Sequence, residues 1–383
     1  MKKRIAFLLT FIMVLGIFSV SAFAGSNDSV LTGAVFSVLA DYTEADIGTY
    51  QMRGFTASAD GKYLYGGLLQ GNRRVVRFDI NTGAVAGEWQ DTDLEYPKGL
   101  ASDDRGYTYV GLTGPNGKDT FGHIVILDKD LLEVARIQIT NDAVFGINGV
   151  SVEKINEKYY LYFVMNYGPN AIYSYDVTDI SALKLNDAFG EGGKCDFVKL
   201  SGSEGEASYL DIDTDGSIYV SANVNAGGSK GDSLLHIAAD GKSIITTTPV
   251  VEAYGVALFE EYVLVSTYNK ENSCVEVVDK ATMKSIGQIG KFEGCGNYNG
   301  VAVVNDVIYI DDAGREGNAD RILKTGTLGI VRPEPVVETP VEEVAEDVSE
   351  NPVTNDNMSI LFITLSLLSI SAITLITKKS KSK

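Results

Sequence analysis

The sequence predicts an all-β chain wound into a β-propeller of six blades. Three observations lead there. Glycine and tyrosine are abundant (40 and 20 of 383 residues), and no long amphipathic helical period runs through the middle of the chain. A unit recurs between Gly54 and Lys324, its starts 45 to 50 residues apart except for one interval of 60. Each unit reads as short strands separated by Gly- or Asp-containing turns, up to four to a unit, the composition of a propeller blade.

The units open at Gly54-Phe55-Thr56-Ala57, Gly99-Leu100-Ala101, Gly149-Val150-Ser151, Tyr209-Leu210-Asp211, Gly255-Val256-Ala257 and Gly300-Val301-Ala302. Second strands follow at Tyr63-Leu64-Tyr65, Tyr107-Thr108-Tyr109, Tyr160-Leu161-Tyr162, Ile218-Tyr219-Val220, Val263-Leu264-Val265 and Ile308-Tyr309-Ile310. Third strands are Val75 to Asp79, Ile124 to Asp128, Ala171 to Asp176, Leu234 to Ala238, Val275 to Asp279 and Arg321 to Lys324. Fourth strands are clearest at Ala84 to Trp89, Glu133 to Ile139, Ser243 to Thr248 and Ser285 to Ile289. A blade buries its faces only against its neighbours, so the ring has to close on itself. Val35 to Ala40 lies upstream of the first unit and reads as a strand of the last blade, which would join the chain ends. Seven blades would require the N-terminal segment and Leu328 to Val331 to build an additional sheet.

The pattern of Gly-apolar start, turn, Tyr-rich strand and a strand ending in Asp resembles the NHL, YncE-like (YVTN) and gluconolactonase propeller groups, over most of Gly33 to Val331. The resemblance implies architecture more than activity.

The chain ends carry addresses. Lys2, Lys3 and Arg4, an apolar stretch from Ile5 to Val20, and Ala22-Phe23-Ala24 form a secretory signal peptide over 1–24. At the other end, Asn351-Pro352-Val353-Thr354-Asn355 precedes an uncharged apolar run from Met358 to Ile376 and a lysine-rich tail. The run is about as long as a membrane-spanning helix, and the lysines would hold the tail in the cytoplasm. Motif, span and basic stop resemble a cell-wall sorting signal of Gram-positive surface proteins over 351–383, in the Asn-Pro-x-Thr-Asn form read by class B sortases. That resemblance implies cleavage after Thr354 and attachment to peptidoglycan, with Asn351, Pro352, Thr354 and Asn355 as the recognised residues. The alternative is an ordinary C-terminal membrane anchor. Between domain (25–332) and sorting signal, residues 333–350 alternate Pro, Val and Glu without aromatics, a spacer with nothing to build a core from.

The net charge of −19 argues against a nucleic-acid partner. The residue ahead of each unit start should face the central channel: Arg53, Lys98, Asn148, Ser208, Tyr254 and Asn299. In the gluconolactonase group this position implies acidic and Asn metal ligands. Asn148 and Asn299 fit that pattern, but Arg53 and Lys98 stand where acids would be needed, which weighs against a lactonase metal site. The same cations with Asn and Tyr could hold an anionic or sugar-like ligand, or simply bond the blades together. Leu183 to Ser208, Thr113 to Gly122, Asn223 to Asp232 and Asp311 to Asp320 read as extended polar loops on the same face, a usual place for recognition.

Asp211 to Gly216 begins like an EF-hand calcium loop, but Ala222 stands at the twelfth position, where a bidentate acid is required. It reads instead as a first-to-second-strand turn, like Asp60-Gly61 and Asp103 to Gly106. His123 and His236 read as openings of third strands with no paired Ser, Cys or carboxylate motif, and no Gly-x-Ser-x-Gly elbow occurs. Cys274 and Cys295 fall in same-face loops of adjacent blades and could form a disulfide, leaving Cys195 free; three separate thiols are the plainer arrangement.

The expectation is a wall-attached surface propeller that binds an extracellular protein, glycan or small molecule through its loop-rich face. Its partners would be sortase, peptidoglycan and that ligand, and it requires no cofactor, calcium being the one cation with any hint. Alternatives are a secreted lactonase-like hydrolase or polymer lyase, and a structural spacer.

Overall fold

The computed structural model describes residues 31–42, 51–69, 73–91, 95–113, 122–139, 146–167, 170–201, 206–223, 232–269, 272–290, 292–314 and 320–330. Six antiparallel sheets are arranged as a six-blade β-propeller. Blade 1 runs Met52–Ala57, Tyr63–Leu68, Arg74–Asp79 and Val85–Trp89 from the axis outward. Blade 2 comprises Tyr96–Ser102, Thr108–Thr113, His123–Leu127 and Glu133–Gln138. Blade 3 begins with the long hairpin Gly146–Ile155 and Lys158–Tyr167, followed by Ala171–Asp176. Blade 4 is Glu206–Ile212, Ile218–Asn223, Ser233–Ile237 and Ile244–Pro249. Blade 5 is Ala253–Phe259, Tyr262–Thr267, Val275–Asp279 and Lys284–Ile289. Blade 6 takes Asn297–Val304, Val307–Ala313 and Asp320–Lys324, and its fourth strand is Ser37–Tyr42 from the N-terminal side.

That last pairing closes the ring. Val38 lies opposite Leu323 and Tyr42 opposite Asp320. The Tyr42 hydroxyl donates to Gly83 O at 2.5 Å, and its ring lies 5.0 Å from that of Phe78 in blade 1. The inner strands pack side by side in chain order, with blade 6 against blade 1. Leu31–Thr32 pairs with Gly329–Ile330 in a two-stranded ribbon, so the segments considered for a seventh blade make a second clasp instead. Every described strand pairs with another inside 31–330, and the chain divides into units at Arg332/Pro333. The described strands of the propeller therefore all lie within 31–330. Residues 1–24, 333–350 and 351–383, with the sortase-motif residues Asn351, Pro352, Thr354 and Asn355, lie outside the described residues. Among the described residues no helix is long and apolar enough to cross a membrane.

The Gly-apolar unit start has a packing cause. A Cβ on Gly54 would lie 2.0 Å from Lys98 O, and one on Gly99 would lie 2.1 Å from Asn148 O. Neighbouring inner strands approach so closely here that only glycine fits. The apolar residue that follows, Phe55, Leu100, Val150, Leu210, Val256 or Val301, is buried in every blade and contributes to a collar around the axis. Turns between first and second strands form as expected: Gly61 N–H donates to Ser58 O (2.9 Å), Gly106 N–H to Asp103 O (3.0 Å) and Gly216 N–H to Asp213 O (2.8 Å). Each of these glycines has positive φ.

One expected loop is folded. Leu183 to Ser208 contains two pieces of a split outer strand of blade 3, Lys184–Leu185 and Lys194–Asp196, and a short helix, Phe197–Ser201. Its excursion is pinned by buried Phe189, which meets Tyr162 edge-on at 5.4 Å, and by Gly190 N–H donating to Asp240 O at 2.7 Å. Apolar Phe189 and Phe197 turn a Gly-rich stretch into core. Asp311 likewise lies in a strand, and the bulk of the Thr113 to Gly122 and Asn223 to Asp232 loops falls outside the described residues.

Candidate functional site

The inner strands begin at one mouth of the channel, and there side chains from non-adjacent blades meet across the axis. Arg53 of blade 1 donates from Nη1 to the Tyr254 hydroxyl and from Nη2 to the Tyr268 hydroxyl (3.1 Å), both in blade 5. Its guanidinium carbon lies 5.5 Å from the Tyr254 ring centre and 5.1 Å from that of Tyr268. Tyr209 of blade 4 donates to Lys98 O of blade 2 at 3.0 Å and packs on Tyr254 with ring centres 5.0 Å apart. Bonds that skip a blade can run only through the middle, so this cluster bars the channel.

Of the six positions expected to face the channel, the structure brings Arg53, Lys98 and Tyr254 into one cluster. Asn299 is buried and donates from Nδ2 to Met52 O at 2.7 Å, tying blade 6 to blade 1. Asn148 and Ser208 are buried in the inner strands. Arg53, Lys98, Glu206 and Tyr268 are partly exposed, whereas Tyr209 and Tyr254 are buried behind them. Among the described residues of this cluster, solvent therefore meets two cations, one acid and one phenol. Burial, with repulsion from Arg53, pushes the Lys98 ammonium down to about 8, and Glu206 opposes the shift. Burial likewise raises the Glu206 carboxyl, against the pull of Lys98.

Beneath the cations lies Asp311, fully buried, with neither carboxyl oxygen hydrogen-bonded among the described residues. Burial, reinforced by Asp320 and Asp312, pushes it well above the usual carboxylate range, with Arg53 opposing. Strand register explains its placement: Val301 pairs with Ile310, as Phe55 pairs with Gly66 and Val256 with Val265. The next position is therefore Gly67 in blade 1, Ser266 in blade 5 and Asp311 in blade 6. The neighbouring acids are well satisfied: Asp312 pairs with Arg321 at 2.5 Å, and Asp320 accepts from Met52 N–H at 2.8 Å.

Tyr209, Tyr268, Glu206 and Asp311 were not among the residues expected at the channel. Tyr209 did carry a signal, since it replaces the glycine that opens every other unit. Past the apolar collar the channel widens into a cavity of about 320 Å³ that includes Ser58, Ser102, Ser151 and Asp211. Asp211 accepts from Ser151 Oγ (2.8 Å), Ile212 N–H (3.0 Å) and Leu258 N–H (2.9 Å), which makes it an inter-blade tie in a strand rather than part of a calcium loop. Among the described residues no three acidic, His or Cys side chains are grouped to hold a metal.

Two further expectations are corrected. His123 does have a carboxylate partner, buried Glu95 at 2.8 Å, 28 residues away and outside any local motif. His236 lies inside its strand rather than opening it, stacked on Tyr219 at 4.3 Å. None of the three cysteines forms a disulfide. Cys295 is packed into the core between blades 5 and 6, while the Cys274 amide is bonded to Thr267 Oγ1 at 2.9 Å.

No known family profile matches the chain, and no curated protein matches it. Among solved structures it is similar to a chain of a nidogen/laminin complex (11% identity, TM-score 0.47, covering 67% of this chain and 86% of the other). It is also similar to a protein of unknown function from Bacteroides caccae (10% identity, TM-score 0.44, covering 65% and 81%). At that level neither bears on function, and the assignment as a β-propeller rests on the chain's own six sheets.

Proposed function

We propose that this chain is a cell-surface β-propeller that binds an extracellular ligand through the face where its inner strands begin, and that sortase attaches it covalently to the cell wall. The observation that carries the binding reading is the axial cluster, in which Arg53, Lys98, Tyr209, Tyr254 and Tyr268 from four blades are gathered at one mouth. Polar and aromatic groups converging on a rigid scaffold are the usual composition of a ligand site. Export and attachment rest on the sequence: the signal peptide, the spacer and the Asn351 to Asn355 motif ahead of an apolar run. A lactonase-like enzyme is disfavoured because cations occupy two of the positions where its metal ligands would stand.

The binding test is a glycan and matrix-protein array probed with the 25–332 fragment beside an Arg53→Met, Lys98→Met double variant. Capture by the parent and not by the variant supports the reading; identical capture by both, or none by either, removes it. Attachment is tested by cell fractionation. Wall-linked material released only by muralytic digestion should vanish in Thr354→Ala, and its persistence would favour a simple membrane anchor.

A further inference from the structure

We infer that the face opposite the mouth carries a trough for a linear neutral oligosaccharide, running from the axial cavity across the seam of blades 1 and 2 to the outer edge of blade 3. It is a second site, independent of the mouth. The first-to-second-strand turns at this end, 58–62, 103–107, 155–158, 213–217, 259–262 and 304–307, all belong to the described residues. Between the turns of blades 1 and 2 lies a cleft of about 190 Å³, and Ser58 and Ser102 line both this cleft and the axial cavity of about 320 Å³. Outward, Arg105 and Tyr107 line both the cleft and a shelf of about 580 Å³ that reaches Thr178 and Ser181 of blade 3. The two larger spaces fall within the range of about 300–1,000 Å³ common for small-molecule sites.

Aromatic rings with polar neighbours set the chemistry. Tyr63, Tyr107 and Tyr159 are half-buried, and an arginine backs each. The Arg77 guanidinium carbon lies 4.6 Å from the Tyr63 ring centre, and that of Arg105 lies 5.2 Å from Tyr107 and 3.7 Å from Tyr159. Arg105 is itself locked: its five N–H groups donate to Asp103 (from Nε and Nη2), the Tyr109 hydroxyl, Val177 O and Thr178 O. Rings fixed before a ligand arrives lower the ordering cost of binding it. The register counterparts of Tyr63 and Tyr107 are Ser217 in blade 4 and Val307 in blade 6, while Tyr262 of blade 5 is buried, so this surface is particular to one side of the ring. A tyrosine offers an apolar face and a polar tip. That matches a pyranose, whose C–H groups form a face and whose hydroxyls stand at its edge. Asp60 and Asp104 line the cleft with carboxylate oxygens able to accept from those hydroxyls. The charges beside the cleft are paired within the protein: Asp103 with Arg105 (2.6 Å), Asp60 with Lys62 (2.8 Å) and Lys129 with Asp130 (2.9 Å). A neutral sugar leaves those pairs intact, whereas an anionic one meets acids in a chain whose net charge is −19.

Calorimetric titration of the full-length chain, held in a detergent without a sugar headgroup, tests this with maltohexaose, cellohexaose, chitohexaose and hexagalacturonate. At least one of the three neutral sugars should bind, and hexagalacturonate should bind more weakly. For the sugar held most tightly, Tyr107→Ala should weaken affinity about tenfold and Asp104→Ala about fivefold. Tyr107→Phe, which keeps the ring, and Ile245→Ser, on the outer strand of blade 4, should stay close to the parent. A thermal melt accompanies each variant, and because Asp104 is exposed its replacement remains a test if Tyr107→Ala does not fold. Failure of all three neutral sugars to bind, tighter binding of hexagalacturonate, or affinity unchanged in both Tyr107→Ala and Asp104→Ala would overturn the inference. Glycan capture that persists in the Arg53→Met, Lys98→Met variant and disappears in Tyr107→Ala would assign that glycan to the trough. Capture lost in the mouth variant and kept in Tyr107→Ala would assign it to the mouth and remove the trough.

Discussion

Lys98→Met should stabilise this protein at neutral pH, an unusual outcome for a substitution near a binding site. An ordinary lysine titrates near 10.5, and burial beside Arg53 pulls Lys98 to about 8. Between those values the unfolded chain holds a proton that the folded chain has released, so stability rises with pH across that window. Below it, folding has to bury the ammonium at full cost. Each pKa unit is worth about 1.4 kcal/mol, so the charge costs up to about 3 kcal/mol near pH 7 and roughly half that near pH 9.5. Methionine keeps much of the apolar stem and removes the charge. Urea unfolding of parent and variant at the two pH values measures the difference directly. A variant gain near pH 7 that shrinks by pH 9.5 is expected. A loss of stability near pH 7, or a gain independent of pH, would refute the placement of Lys98 in a poorly solvated site near Arg53.

The buried acid gives the opposite pH course. With its folded value raised, Asp311 favours folding below the ordinary carboxylate range and loses that advantage as pH rises, so Asp311→Asn should stabilise near pH 7 and have little effect near pH 3, read from paired melts. Gly99→Ala should cost about 3 kcal/mol or more, because its Cβ would meet Asn148 O, while Gly290→Ala, with open space around it, should change the melting temperature little. Asp312→Asn leaves Arg321 buried without its charge partner and should cost about 3 to 5 kcal/mol in chemical unfolding. Starting the chain after Tyr42 removes the fourth strand of blade 6 and exposes the edge at Ile322 and Leu323; size-exclusion chromatography should show aggregation in place of a monodisperse peak.

The repeat, the turns and the closing strand were legible in the sequence because they are local or periodic. Gly54, Gly99 and their counterparts recur because each inner strand faces the same steric limit against the next, and an identical constraint leaves an identical residue. The N-terminal strand could be assigned to the last blade because a ring with a missing outer strand leaves an edge to be filled. Side-chain meetings across the axis have no such periodicity. Arg53 reaches Tyr254 and Tyr268 from a residue 201 and 215 positions away, and Tyr209 reaches Lys98 O over 111. Which of six channel positions would cluster, and which would become inter-blade ties like Asn299, depended on rotamers and distances that exist only once the ring has closed.

The same distinction explains the residues missed. Asp311 read as the start of a polar loop, because a carboxylate after Tyr309 and Ile310 looks like a strand end; register placed it instead at a buried position where blades 1, 2, 4 and 5 carry Gly or Ser and blade 3 carries Val164. The Gly-rich stretch after Leu183 read as a recognition loop, yet two phenylalanines found a core beside Tyr162 and Gly241. Sequence by itself indicated six sheets, their order and the closing strand, since those follow from spacing and from which residues the backbone tolerates, and the pairing of Leu31–Thr32 with Gly329–Ile330 then excluded the seventh. Tertiary structure alone decided the electrostatics of the mouth, because the cost of a charge depends on how much water and which other charges closure leaves beside it.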